Sequence, residues 1–278
     1  MYSLILFELI KIFKNPRTYI SFLSVLLIVV AFFFGMYFEG ENIISFVTQN
    51  LADNFQLEGK IINVYLVSYL LMNTLLIHIP ILICLVTGDL IAGEASKGTL
   101  RLILTRPYSR FQIYLSKYLA GFIYTSILIL FMFLLSFGLG QVLFGEGDLI
   151  VVRKLVNVFS MDDVFWRFVY AYGFGLLSML VVASLSFMIS AFTKNAIGPI
   201  VGTIAILIGL NIITALGMSA LRPIAPYLFN IHFVKWQYFF EFDIEWDKLY
   251  FAGVVQLVYI LVFFSIGFYH FNKKDILT

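Results

Sequence analysis

Two sets of residues have side chains able to do chemistry. Asn73, Thr74, His78 and Pro80 fall together inside a long apolar run, where polar groups are costly enough to need a purpose. Amide, hydroxyl and imidazole groups placed there can line a path for a substrate. Pro80 adds a kink, because its ring displaces the carbonyl four residues back, near Leu76. The same residues serve equally well as packing devices, with His78 bonded to a neighbouring helix. Asn211, in GLNIITALG, joins Asn73, His78 and Pro80 as a candidate for the path, although an interhelical hydrogen bond or dimer contact suits it better. Gly198, Gly202, Gly209 and Gly217 around it let helices approach closely.

The second set is Glu241, Asp243, Glu245 and Asp247, alternating with Phe242, Ile244 and Trp246. Four carboxylates suggest a cation site, but no convergent histidines or carbonyls accompany them. A solvated acidic rim, with Asp247 capping the next helix, is the simpler reading. His232 and His270 lie too far apart for metal-ligand spacing, and the only cysteine, Cys84, sits in an apolar run. No metal site is expected. Neither a G-x-S-x-G elbow nor an H-E-x-x-H pair occurs, so no catalytic residue is assigned and the chain is not expected to be an enzyme.

The elements that must position these residues follow from composition. Of 278 residues, 62% are hydrophobic and only 12% charged, against roughly a quarter charged in soluble domains. The mean hydropathy is +0.98. Such a chain cannot cover a water-facing surface, and its apolar excess must face lipid. A net charge of +2 gives no reason to expect nucleic acid as a partner. About 20 apolar residues cross the roughly 30 Å of hydrocarbon. Six stretches qualify, at about 18–38, 62–87, 110–143, 165–192, 197–220 and 249–270. The fold class expected is therefore an all-α integral membrane protein of six transmembrane helices forming one domain over 1–278. No removable signal peptide is expected, since Glu8, Lys11, Lys14 and Arg17 occur early without a small-residue cleavage site.

Six spans put both termini on one side. The N-terminus, 88–117, 193–196 and the C-terminus together carry eleven Lys/Arg against four Asp/Glu, and the opposite loops carry seven against twelve. The basic excess places the first side, with both termini, in the cytoplasm, and the chain in the inner (cytoplasmic) membrane. Trp166, Trp236 and Trp246 are expected at the membrane interface.

Residues 3–15 form a separate feature. On a helix Glu8, Lys11 and Asn15 stack on one face and Leu6, Leu9, Ile10 and Phe13 lie on the other, with Lys14 adding positive charge. Asn15-Pro16-Arg17 then breaks the run. The pattern predicts an amphipathic helix lying flat at the interface, the alternative being a simple extension of the first span.

The loop GDLIAGEASKGTLRLILTRPYSR, residues 88–110, is unusually rich in charge for this chain. Thr99 is placed to cap a helix of barely two turns, in which Leu100, Ile103 and Leu104 share one face and Arg101 and Thr105 another, and Pro107 stops it. Ser109 followed by Gln112 forms a capping box that opens the third span. A helix this short is unstable alone and must dock against something. Resting on the membrane surface would suffice.

The order G-E-x-x-x-G-T-L-x-x-x-L-x-x-P-x-S-R from Gly93 to Arg110, followed by Lys117, resembles the segment between the second and third spans of ABC-2 type transporter permeases. The N-terminal helix with Glu8, Lys11 and Pro16-Arg17, the number of spans and the length are similar to that family as well. The resemblance implies a permease subunit of an ATP-driven transporter, an exporter, pairing with a second copy of itself or a relative and with two separate ATP-binding subunits. It implies that Glu94 to Pro107 is a coupling helix seated in the ATPase. Leu100, Leu102, Ile103 and Leu104 would then be apolar anchors, and Arg101, Arg106 and Arg110 would pair with partner carboxylates or with phosphates of membrane lipid. No G-x-x-x-x-G-K-[ST] phosphate loop occurs, so ATP and magnesium belong to the partner and this chain binds no cofactor. A secondary transporter and a non-transporting membrane anchor for an ATPase remain as alternatives.

Overall fold

The structure, a computed structural model, describes residues 1–52, 61–105, 107–152, 156–217 and 223–274, without the side chains of 44–52, 76, 77, 104, 152 and 156. The N-terminal helix α1 (Tyr2–Lys14) stops at Asn15, which is extended at φ −81° and ψ 128°. The following proline disfavours helical geometry at Asn15, and Pro16 itself suits the first position of the next helix, α2 (Pro16–Ala52). Asn15 stabilises the corner by accepting a hydrogen bond from the Arg17 amide at 3.1 Å.

Helix α3 (Val64–Thr87) opens on Asn63, whose side-chain oxygen accepts from the Tyr65 and Leu66 amides. It bends by 56° between Val64–Leu75 and His78–Thr87. That break lies one turn ahead of Pro80, where a proline ring clashes with the carbonyl of the preceding turn. Gly88 separates α3 from α4 (Asp89–Ser96), and Gly98, at φ +72°, separates α4 from the six-residue α5 (Thr99–Leu104). The capping box of Ser109 and Gln112 starts α6 (Arg110–Phe144). A hairpin of β1 (Leu149–Val152) and β2 (Val156–Phe159) follows, antiparallel with Leu149 opposite Phe159. The chain continues as α7 (Met161–Phe192), α8 (Ile197–Ala215), a 3-10 helix over Phe229–Phe240 and α9 (Trp246–Lys273).

Five of these helices are long and apolar enough to cross a membrane, six if the bent α3 counts as one span. The chain is thus a largely helical, multi-pass membrane protein. Helix α7 is its centre, packed against α3, α6, α8 and α9. Small residues on α7 allow the close approach: Ser178, Ser184, Ser186 and Ser190 are all fully buried. Ser184 bonds the Tyr118 hydroxyl at 2.7 Å, and Gln256 of α9 donates to Ser178 at 3.0 Å.

The largely helical class stands, with the short hairpin in the loop between the third and fourth expected spans, while two expectations about local structure change. Glu245, rather than Asp247, occupies the cap position of α9, with Asp247 in its first turn. Trp236 is fully buried instead of interfacial, because the 3-10 helix Phe229–Phe240 plugs into the bundle beside α7 and α9, with Tyr69 and Phe240 edge-on to the indole.

Candidate functional site

The four segments grouped by charge meet at one end of the bundle. Arg110, at the start of α6, donates through Nη1 to the carbonyls of Asn272 at 2.6 Å and Lys274 at 3.1 Å, in the last turn of α9 and just after it. Lys274 Nζ donates to the Ala191 carbonyl at the end of α7 at 2.9 Å. Cations placed on the last carbonyls of two helices complement the negative ends of their dipoles.

At the same end lies a cluster of four charges from three helices. Lys117, on the second turn of α6, is fully buried. Its Nζ sits 3.0 Å from Glu8 Oε2 of α1 and 2.7 Å from Glu94 Oε2 of α4. Lys11 completes the square, bonded to Glu8 at 3.0 Å and paired with Glu94. Burial alone would cost these charges their hydration, but two carboxylates and two ammonium groups balance one another. For Lys11, burial works against the charged form, yet the carboxylates of Glu94 and then Glu8 outweigh it and raise its pKa above the ordinary 10.5. A second link ties the corner between α1 and α2 to α4: Arg17 Nη1 contacts Asp89 Oδ1 at 2.7 Å as an ion pair, while Asn15 donates to Asp89 Oδ2 at 3.2 Å. Gly93 is needed beside it, since a Cβ there would collide with the Asp89 carboxylate.

Helix α4 is held from behind by Ser190 of α7. Its hydroxyl oxygen accepts from the Ala92 amide at 2.9 Å and the Ile91 amide at 3.3 Å, and its proton goes to the Gly88 carbonyl at 2.6 Å. One side chain thereby satisfies three backbone groups where α3 breaks into α4. Nothing local in the sequence pointed to Ser190.

Between α1 and the α4–α5 pair opens a cleft of about 770 Å³, with Phe7, Lys14, Leu90, Lys97, Leu102 and Ile103 among its lining. Helix α5 forms one lip. Leu100 turns inward and is 3% exposed, Ile103 is half-buried, and Leu102 turns outward at 68% exposed beside the exposed Arg101.

The candidate residues are therefore divided. Glu94, Glu8 and Lys11 come together, as expected of neither composition nor spacing, and the polar face of α1 is turned into the protein instead of towards water. Its Leu6 and Ile10 are the exposed side. Leu100 is an inward anchor and so is not free to hold a partner. Gly98, with its left-handed φ, takes the cap position of α5 assigned to Thr99, whose hydroxyl instead reaches back to the Glu94 carbonyl at 3.3 Å. Arg110 is occupied by the carbonyls at the end of α9. Pro107 and Ser109 lie between α5 and α6, both exposed. Arg106 and the Leu104 side chain lie outside the described residues.

Away from this end, Asn73 accepts from Gln237 at 2.6 Å, and Asn211 accepts from Asn230 at 3.0 Å. Both candidates for the path are thus bound to the buried 3-10 helix. His78 is exposed, with Nδ1 2.9 Å from the carbonyl of Thr74 in its own helix, and neither it nor Pro80 lines the cleft. Gly209 and Gly217 face open space, while Gly198 and Gly202 approach Thr193 and Ile189. Among the described residues no group of three or more His, Cys, Asp or Glu is arranged to hold a metal ion.

A family profile described as "Protein of unknown function (DUF2705)" matches residues 25–277. The chain belongs to the DUF2705 family. It is also similar to "Uncharacterized protein YhcI" of Bacillus subtilis (strain 168), 28% identical over 198 residues that make up 69% of this chain. The chain spans 63% of the length of that relative. These matches correct the resemblance to ABC-2 type permeases, which they do not support: the profile that covers the chain is that of DUF2705. The quoted motif misled because glycine, proline and capping residues recur wherever a short helix is set between two longer ones.

Proposed function

We propose that this DUF2705 protein is the membrane subunit of an ATP-driven transport system, worked by a separate ATPase chain that docks on α5. The observation that carries the reading is the division of α5. Leu100 and Ile103 anchor it inward while Leu102 and Arg101 are presented outward, on a helix joined to α4 and, through Glu94, to Lys117 of α6. A push on α5 is therefore a push on α3, α4 and α6. An exposed leucine beside an arginine suits a partner surface offering an apolar hollow rimmed by carboxylates. Coupling further requires that the ATP-bound and free forms of the partner hold α5 differently. The charge-sorted loops favour a cytoplasmic position for this end. The broad apolar face of α8, with Ile197, Val201, Ile208 and Ile212 exposed by more than half, offers room for a second protomer.

A second reading, a non-transporting anchor for the same ATPase, is favoured by the engagement of Asn73 and Asn211 in internal hydrogen bonds. A photo-crosslinking residue at position 105, exposed at the end of α5, followed in cells by capture and then by ATPase assays of the complex in nanodiscs, tests the shared part. An ATP-binding partner whose hydrolysis responds to Leu102→Asp is expected. Capture of a protein without nucleotide-binding activity sinks both readings. Flux of candidate cargo in sealed vesicles then separates transporter from anchor.

A further inference from the structure

We propose that the cleft between α1 and the α4–α5 pair binds an anionic phospholipid, its headgroup between Lys14 and Lys97 and its chains along Leu4, Phe7 and Ile103. This goes beyond the docking of an ATPase and does not depend on it. Three carboxylates face the cleft, and each is already matched: Glu8 and Glu94 by Lys11 and Lys117, Asp89 by Arg17 and Asn15. Lys14 and Lys97 also face it, both exposed, and among the described residues no carboxylate pairs with either. The open charge of the cleft is therefore positive, and an anion is what it lacks.

The apolar part of the lining selects among anions. A bare phosphate has no use for a wall of Leu4, Phe7 and Ile103, whereas an amphiphile matches both halves. Position adds to this. Leu6 and Ile10, flanking Phe7 on α1, are 40% and 52% exposed, so the rim of the cleft runs into an apolar surface at the foot of the apolar α2. Basic hollows beside membrane helices are where anionic headgroups bind. The volume of about 770 Å³ falls in the usual range for small-molecule sites and accommodates a headgroup, glycerol and the first part of the chains.

The test uses the full chain in nanodiscs of equal parts phosphatidylglycerol and phosphatidylcholine, with retained lipid read by native mass spectrometry. One phosphatidylglycerol held in preference to phosphatidylcholine is expected. Lys14→Gln with Lys97→Gln should cut that preference by about thirtyfold, the loss that follows from two lysine contacts at an anionic surface. Lys194→Gln, a lysine at the same end but outside the cleft, should leave it unchanged. Equal retention of the two lipids, or an unaltered preference in the double variant, overturns the proposal. So does release of the lipid by millimolar glycerol 3-phosphate, which would mark a site for soluble anions.

Discussion

Lys117 and Glu8 lie 109 positions apart in sequence, yet their charged atoms meet at 3.0 Å with the lysine wholly shielded from solvent. Glu94 joins them at 2.7 Å from the same nitrogen. The consequence is mechanical: α1, α4 and α6 share one ionic joint, so the N-terminal helix is part of the body of the protein.

Removing one member of the joint leaves a buried charge unbalanced. Lys117→Met is expected to destabilise the protein by about 3–5 kcal/mol, measured by thermal unfolding in detergent. Adding Glu8→Gln to it leaves Lys11 and Glu94 as a matched pair and should recover most of the loss. A double variant no more stable than the single one would show that charge balance is not the cause.

The raised pKa of Lys11 gives a pH dependence with a definite sign. Folding favours its protonated form, so its contribution is complete below the ordinary lysine value of 10.5 and is lost as pH rises through the higher folded value. Wild type should lose stability above that pH more steeply than Lys11→Met, compared by melting temperature across an alkaline series. Parallel curves would refute the assignment.

Neighbouring leucines on α5 should respond in opposite ways. Leu100, 3% exposed, cannot accept a carboxylate, and Leu100→Asp should cost more than the about 2–5 kcal/mol typical of truncating a buried leucine. Leu102, 68% exposed, should tolerate aspartate within about 0.5 kcal/mol while losing its docking partner. Stability and crosslinking yield, measured on both variants, should separate cleanly.

Ser190→Ala removes the acceptor for the Ile91 and Ala92 amides and the donor to the Gly88 carbonyl. The orphaned groups should cost about 1–3 kcal/mol. Hydrogen exchange at the Ile91 and Ala92 amides should accelerate, and unchanged protection there would argue that the hydroxyl has no part in holding α4.

The sequence by itself determined what depends on near neighbours and on composition. Apolar length gave the long helices able to cross a membrane, Asn15-Pro16 the break after α1, Ser109 with Gln112 the start of α6, and Pro80 the bend in α3, because capping, proline sterics and lipid burial act within a few residues. The charge sorting also found the segments that meet at one end. Tertiary structure decided which way the faces turn. The stripe of Glu8, Lys11 and Asn15 fits water or a buried partner equally well, and only the arrival of Lys117 from α6 settles it. Leu100 and Leu102 are alike in type and two apart, and the packing beneath α5 alone makes one an anchor and the other a surface. Ser190 and Trp236 were silent for the same reason: a hydroxyl bridging a helix break, and an indole buried by a 3-10 helix, depend on partners distant in the chain, and no local pattern encodes those distances.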